Sequence, residues 1–298
     1  MTMIDLPLAE LRSQGFCVVR NAVDADVVAA LNADLDAAFA DAPFCDGDFY
    51  GRSTKRLGGM LKRSAFAEAF VRHPLALGLA DAVLGPWCDR FGLNLTQAIE
   101  IHGGAPAQYP HRDEDMWAGP KGELDYLINV MWPLTPFVRE NGATRLWPGS
   151  HMAGSVAGDE ALATVPELMP GDVLVFLGST LHGGGGNARS AARRGLVVSY
   201  CLGWLKPFEN QWLVYPPEVA RSFDPELAAL VGYAQHRPNL GNVEGRCPTE
   251  LLYGVGGDGD GIGHGGLPPA DALLPEQTAA LGDWVTEGGA AAAHVSRR

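Results

Sequence analysis

Between Phe91 and Trp204 the chain offers short β-rich stretches with no helix between them, and this constrains its fold more than any other feature. The stretches are FGLNLTQAIEI (Phe91–Ile101), YLINVMWPLT (Tyr126–Thr135), ATRLWPGS (Ala143–Ser150), DVLVFLGST (Asp172–Thr180) and GLVVSYCLGW (Gly195–Trp204). They are rich in β-branched and aromatic residues and bounded by Gly, Pro and Asn, the pattern of short strands joined by turns. Parallel strands need long, usually helical crossovers. The segments between these strands do not read as helices, so a sandwich or barrel is expected and parallel α/β is disfavoured.

The first ninety residues have another texture. GFCVVRNAV (Gly15–Val23) reads as a short strand, followed by a helical stretch with Asp24 as its N-cap. AFAEAFVRHPLALGLADAVLG reads as two helices broken at His73-Pro74, and STKRLGGMLKRS as a basic, glycine-containing loop. After Trp204 the sequence is irregular and proline-rich, with one helix-like stretch near PELAALVGYAQ. GVGGDGDGIGHGG (Gly254–Gly266) reads as a flexible loop, since it lacks the spacing and closing glutamate of a calcium-binding loop. The expectation is one domain over residues 1–298. Its mainly β core covers about 90–206, a helical N-terminal layer covers 1–89, and an irregular segment covers 207–298.

Chemistry concentrates in AQYPHRDEDMW (Ala107–Trp117). If YPHRD is extended, His111 and Asp113 project from the same face, with Arg112 on the other. Alone, such a pair reads first as a charged surface turn, because short motifs recur by chance. His182 adds to it: an apolar strand delivers it, and four glycines follow that allow close backbone approach. Two histidines and one carboxylate with open coordination positions suit a non-haem Fe(II) oxygenase. Arg193 lies 11 residues beyond His182 at the entry to an apolar strand. A buried arginine needs an anionic partner, which a dicarboxylate cosubstrate would provide through a bidentate fork. Strand parity places Arg193 on the face of Ser199 and turns Arg194 the other way, toward solvent. A surface β-turn carrying both arginines is the competing reading.

Taken together, HRD at His111–Asp113, ENGATRLWPGSH at Glu140–His151 and HGGGGN…RRG from His182 to Gly195 resemble the phytanoyl-CoA dioxygenase family of iron(II)- and 2-oxoglutarate-dependent oxygenases. GFCVVRNAV and TKRLGGML (Thr54–Leu61) extend the likeness, which covers roughly residues 10 to 235. TKRLGGML, LNLTQAIEI and AQYPHRD look closer to the natural-product branch than to the acyl-CoA oxidisers. The resemblance implies a double-stranded β-helix (jelly-roll, cupin-like) core with the N-terminal helices packed on it. It implies iron on His111, Asp113 and His182, and 2-oxoglutarate with its far carboxylate on Arg193. Gln108, Thr144 and Asn129 look like further cosubstrate contacts. Asp113 stands where halogenating relatives carry a small residue, which argues against halogenation. The implied reaction uses O2 and 2-oxoglutarate to oxidise, by hydroxylation first of all, an unactivated C–H bond of a small organic molecule of the secondary-metabolite kind, releasing succinate and CO2.

Other positions carry weaker expectations. Arg112, Trp117 and Trp132 are candidate substrate contacts, and Phe49–Arg56 and the segment after Trp204 are expected to shape the pocket. His73, His102 and His151 read as structural. A net charge of −13 disfavours nucleic acid and anionic membranes as partners. The five cysteines form no CxxC and fit a reducing compartment. No signal sequence and no apolar run of about 18 residues is evident. A cytoplasmic enzyme acting on a small molecule is expected, with a homodimer left open. Two rivals remain: a jelly-roll metal enzyme that does not use 2-oxoglutarate, and a non-catalytic binding protein.

Overall fold

A computed structural model describes residues 2–152, 159–254 and 274–286; the glycine-rich stretch expected to be a flexible loop lies outside them, apart from Gly254. The chain forms two compact units, Met1–Tyr215 and Pro216–Arg298.

The first unit begins with α1 (Asp5–Gln14), β1 (Phe16–Val19), α2 (Ala25–Asp34), α3 (Asp36–Asp41) and β2 (Thr54–Gly58). Next come α4 (Ala67–Val71) and α5 (Pro74–Leu84), separated at His73-Pro74. The remaining strands are β3 (Phe91–Ile101), β4 (Leu127–Pro133), β5 (Thr144–Leu146), β6 (Val173–Leu177), β7 (His182–Gly184) and β8 (Arg193–Leu202), and α6 (Gln211–Val214) ends the unit. Six strands form an antiparallel sheet in the order β1-β6-β4-β8-β3-β2, and β5 pairs with β7 in a second sheet. Residues from both sheets share one apolar cluster, with Leu146 of β5 among Met131, Leu174, Phe176 and Val197 of the large sheet. This is the double-stranded β-helix, or jelly-roll, core.

Alternation along β4 divides its side chains between two layers. Asn129 and Met131 line the interior cavity, while Trp132 packs edge-on against Phe70 of α4 and against His73. Tyr200 of β8 is also outside, its hydroxyl donating to Val71 O at 2.6 Å. The helices α4 and α5 thus bury the outer face of the sheet.

Three local expectations change. The basic stretch expected to be a loop contains β2, paired along its length with β3. The N-terminal layer is therefore not only helical: β1 and β2 supply the two edges of the large sheet. Arg194 does turn away from the cavity, but onto partners: its guanidinium bonds Glu100 at 2.6 Å and Asp36 at 2.5 Å and lies over the Phe39 ring. It fastens α3 to the sheet.

Gly15, at φ +87°, ends α1 and turns the chain into β1. A Cβ there would stand 2.5 Å from Thr180 Oγ1 and 2.7 Å from His151 Nδ1, so glycine is required by both conformation and space. In the second unit, α7 (Pro217–Ala220), α8 (Pro225–Leu230), α9 (Pro248–Tyr253) and α10 (Pro275–Thr286) are described. Asp224 caps α8 by accepting from Glu226 N and Leu227 N.

Candidate active site

His111 and His182 come together through backbone pairing. His111 N donates to His182 O at 2.9 Å and His182 N donates to His111 O at 3.0 Å. This exchange of two hydrogen bonds holds both side chains in the lining of one cavity between the sheets. The glycines after His182 let neighbouring backbone close in on both sides: a Cβ on Gly183 would lie 3.2 Å from Gln108 O, and one on Gly185 2.8 Å from Ala143 O.

Asp113 opens a short 3-10 turn, Asp113–Met116, which carries its carboxylate back toward both imidazoles. Its oxygens lie 3.4 Å from His111 Nε2 and 3.5 Å from His182 Nε2. One donor atom from each of the three residues falls within a common span of 4.8 Å. The opposite ring nitrogens are engaged: Nδ1 of His111 bonds Tyr109 O at 2.9 Å, and Nδ1 of His182 bonds Thr180 O at 3.0 Å. A carbonyl can only accept, so each Nδ1 carries the proton and each Nε2 presents a lone pair. Burial raises the Asp113 carboxyl, but His182 and His111, when protonated at Nε2, and the Asn129 amide outweigh it and hold it at about 2. A carboxylate and two imidazole lone pairs facing one point are a donor set for a divalent metal ion.

The cavity has a volume of about 400 Å³. His111, Asp113 and His182 stand at one side, with Gln108, Thr144 and Arg193 around them. Arg193 enters from the first position of β8 and is 2% exposed. It donates to Gly142 O and lies over the Phe137 ring, but no carboxylate pairs with it among the described residues and its Nε is buried without a partner. Burial, reinforced by nearby Arg56, lowers its pKa to about 9. A buried guanidinium with this environment favours an anion entering the cavity.

The other expected contacts sort by their bonds. Thr144 is buried and lines the cavity. The Gln108 carboxamide also borders it, accepting from Gly184 N at 3.1 Å and donating to Phe49 O at 3.2 Å. Asn129 lines the cavity but gives its amide to Asp113 Oδ2 at 2.9 Å. Arg112 borders the cavity with its guanidinium bonded to Ser179 O and Ser150 O. The two tryptophans expected to touch substrate do not line the cavity. Trp132 faces the helices for the parity reason given above, and Trp117 stacks on Tyr126 and donates to Lys206 O at 3.0 Å. Aromatic lining comes instead from Phe49, Tyr50, Phe176 and Phe208.

Gln97 is a cavity residue that motif reading did not single out, and Arg56 entered only as the end of the pocket-shaping stretch Phe49–Arg56. They pair across β2 and β3, Arg56 Nη1 donating to Gln97 Oε1 at 2.7 Å. The signal was the register of a strand hidden in a basic stretch. Among the histidines expected to be structural, His73 bonds Ala22 O, His102 bonds Glu100, and His151 bonds Arg12 O.

Fold and site define a class, the non-haem iron oxygenases of jelly-roll architecture. Residues 11–195 match the model of the phytanoyl-CoA dioxygenase (PhyH) family, more than half of the chain, and the protein belongs to that family. It is a 2-oxoglutarate-dependent non-haem iron dioxygenase, with O2 as the oxidant. Dioxygenase trt7 of Aspergillus terreus is 31% identical over 75% of this chain and 82% of its own length. Multifunctional dioxygenase prhA of Penicillium brasilianum is 28% identical over 86% of this chain and 89% of its own. Among solved structures, the non-haem α-ketoglutarate-dependent epimerase SnoN from nogalamycin biosynthesis superposes with a TM-score of 0.57 at 19% identity, covering 67% of this chain and 83% of SnoN. HygX from Streptomyces hygroscopicus, solved with nickel, 2-oxoglutarate and hygromycin B, gives 0.53 at 15% identity, covering 68% and 88%. At these identities the structures speak for the fold. No helix among the described residues is long and apolar enough to cross a membrane.

Proposed function

We propose that His111, Asp113 and His182 hold the iron, that Arg193 takes the far carboxylate of 2-oxoglutarate, and that the enzyme oxidises an unactivated C–H bond of a small, largely apolar secondary metabolite. The observation that carries this reading is the meeting of three metal donors and one buried, carboxylate-free arginine in a single cavity. The donors fit the ion: their Nδ1 bonds fix the tautomer that leaves Nε2 for a metal, and Asn129 holds the carboxylate from behind. Bound iron, with 2-oxoglutarate and O2, supplies the oxidising chemistry and returns succinate and CO2, while the protein binds, orients and protects.

Each remaining group has a task in that arrangement. Arg193 anchors the cosubstrate by charge, and half-buried Arg56 adds positive potential to a cavity that must accept a dianion. Thr144 and the Gln108 carboxamide border the cosubstrate. Leu95, Ile99, Met131 and Val197 form an apolar wall beyond them, and Phe49, Tyr50 and Phe208 add aromatic surface. That lining gives the reacting centre an apolar side and suits a neutral, ring-containing or aliphatic molecule. The SnoN and HygX structures hold natural products, nogalamycin RO and hygromycin B, in the same fold, which supports the metabolite class.

Succinate formation with iron, 2-oxoglutarate and air, measured with panels of neutral small metabolites and of acyl-CoA thioesters, tests the reading. Stimulation by neutral metabolites, with one oxidised product per succinate, is expected. Stimulation by acyl-CoA thioesters alone would overturn the substrate class.

A further inference from the structure

Resting on the metal-site reading above, we infer that Arg112, between the two ligands of the HxD pair, is a positioning residue that locks the His182 turn into register with His111 and Asp113. The inference starts from PGSH, a motif that the metal and cosubstrate assignments leave without a task. Ser150 Oγ accepts from Leu181 N at 2.8 Å, and Trp147 N donates to Leu181 O at 3.1 Å. The residue before His182 is therefore held on both its backbone groups by the segment Trp147–Ser150. Arg112 joins this assembly to the HxD pair. Its Nε donates to Ser179 O at 2.9 Å and one Nη donates to Ser150 O at 3.0 Å.

The planar guanidinium thus spans two carbonyls in two different loops. One loop, Gly178–His182, also holds Glu114 through Glu114 N to Gly178 O at 3.2 Å and supplies Thr180 O to His182 Nδ1. The other is the PGSH turn. Backbone pairing of His111 with His182 fixes their separation, and Leu181 ties the turn before His182 to Trp147 and Ser150. Arg112 couples that assembly to the HxD pair, so the His182 ring is presented at one angle to the Asp113 carboxylate. A bidentate site of this kind is not served by a single ammonium. Positioning contacts outside the donor set typically change metal affinity about tenfold to a hundredfold when lost.

The test uses Mn(II) as the probe, titrated by the paramagnetic resonance of the free ion, with no cosubstrate or O2 present. Arg112→Ala should weaken Mn(II) binding about tenfold or more while the metal-free protein still melts cooperatively. Arg112→Lys, whose single ammonium reaches one of the two carbonyls, should fall between Arg112→Ala and the wild type. Should Arg112→Ala not fold, Arg112→Lys carries the test by itself. Wild-type affinity in either folded variant overturns the inference, and so does a rise confined to the KM of an organic substrate. His182→Ala separates this from the underlying reading: if it binds Mn(II) as the wild type does, the metal-site assignment fails.

Discussion

Arg193 and Arg194 are neighbours in the chain and lie on opposite faces of the same sheet, one in the cavity without a carboxylate and the other clamped between Glu100 and Asp36. Adjacent arginines thus have separable roles. Arg193→Ala should raise the KM for 2-oxoglutarate by about 100-fold or more with little loss of stability, since a buried charge-assisted pair with the cosubstrate is removed. Arg194→Ala should leave that KM unchanged and destabilise the fold by about 3 kcal/mol, because Glu100 loses a buried ion pair. Steady-state kinetics and thermal melting of both variants check this. The reverse assignment of effects would contradict it.

Trp132 is 1% exposed and wedged against Phe70 and His73. Trp132→Ala should cost about 3–5 kcal/mol of stability, in line with emptying an aromatic site in a core. Its 2-oxoglutarate KM, measured well below its melting point, should match the wild type. A changed KM with unchanged stability would put the indole in the cavity after all.

Asn129→Ala removes the amide that holds Asp113 Oδ2. Metal affinity should fall about tenfold, while protein melting without metal changes little. Asn129→Ser, with a shorter donor, should not recover the affinity. Calorimetric titration with Mn(II) reads both.

Burial pushes the thiols of Cys17 and Cys201 up to about 12. In the unfolded chain they ionise near the ordinary thiol value, so between about pH 9 and 12 the folded state binds more protons than the unfolded one. Stability should therefore fall as pH rises through that window and be independent of these groups below it. At pH 8, Cys17 and Cys201 should resist alkylation until the protein unfolds. Mass mapping of native alkylation reads this directly, and prompt labelling of either thiol would contradict their burial.

The grouping of His111, Asp113, His182 and Arg193 around one cavity was legible in the sequence because HxD, a distal histidine in a glycine run and a trailing arginine each have a local signature. Strands β3, β4, β5, β6 and β8 were legible because their apolar runs are bounded by turn residues, whereas β7, the three residues His182–Gly184, carries no such run. Strand β2 was not legible, since its basic residues mask a segment with one side on the cavity and the other under α3. Lys55 there reaches Phe39 O, and Arg56 faces Gln97. Arg194 looked solvent-bound because its partner Asp36 lies 158 residues away. Trp132 was recoverable from parity alone: Asn129 facing the cavity requires Trp132, three residues on, to face the helices. The aromatic cavity residues Phe49, Tyr50 and Phe208 could be placed only as regions, since contacts across loops leave no periodic trace.

The central claim is that one iron site built from His111, Asp113 and His182 drives turnover of 2-oxoglutarate held by Arg193. Succinate formed per chain, with iron and air, tests it most directly in the wild type and in Asp113→Ala and His182→Ala. The account predicts iron-dependent succinate from the wild type and none above background from the two variants at equal folded concentration. Wild-type rates in either variant, or a folded, iron-loaded wild type that never consumes 2-oxoglutarate, would contradict it.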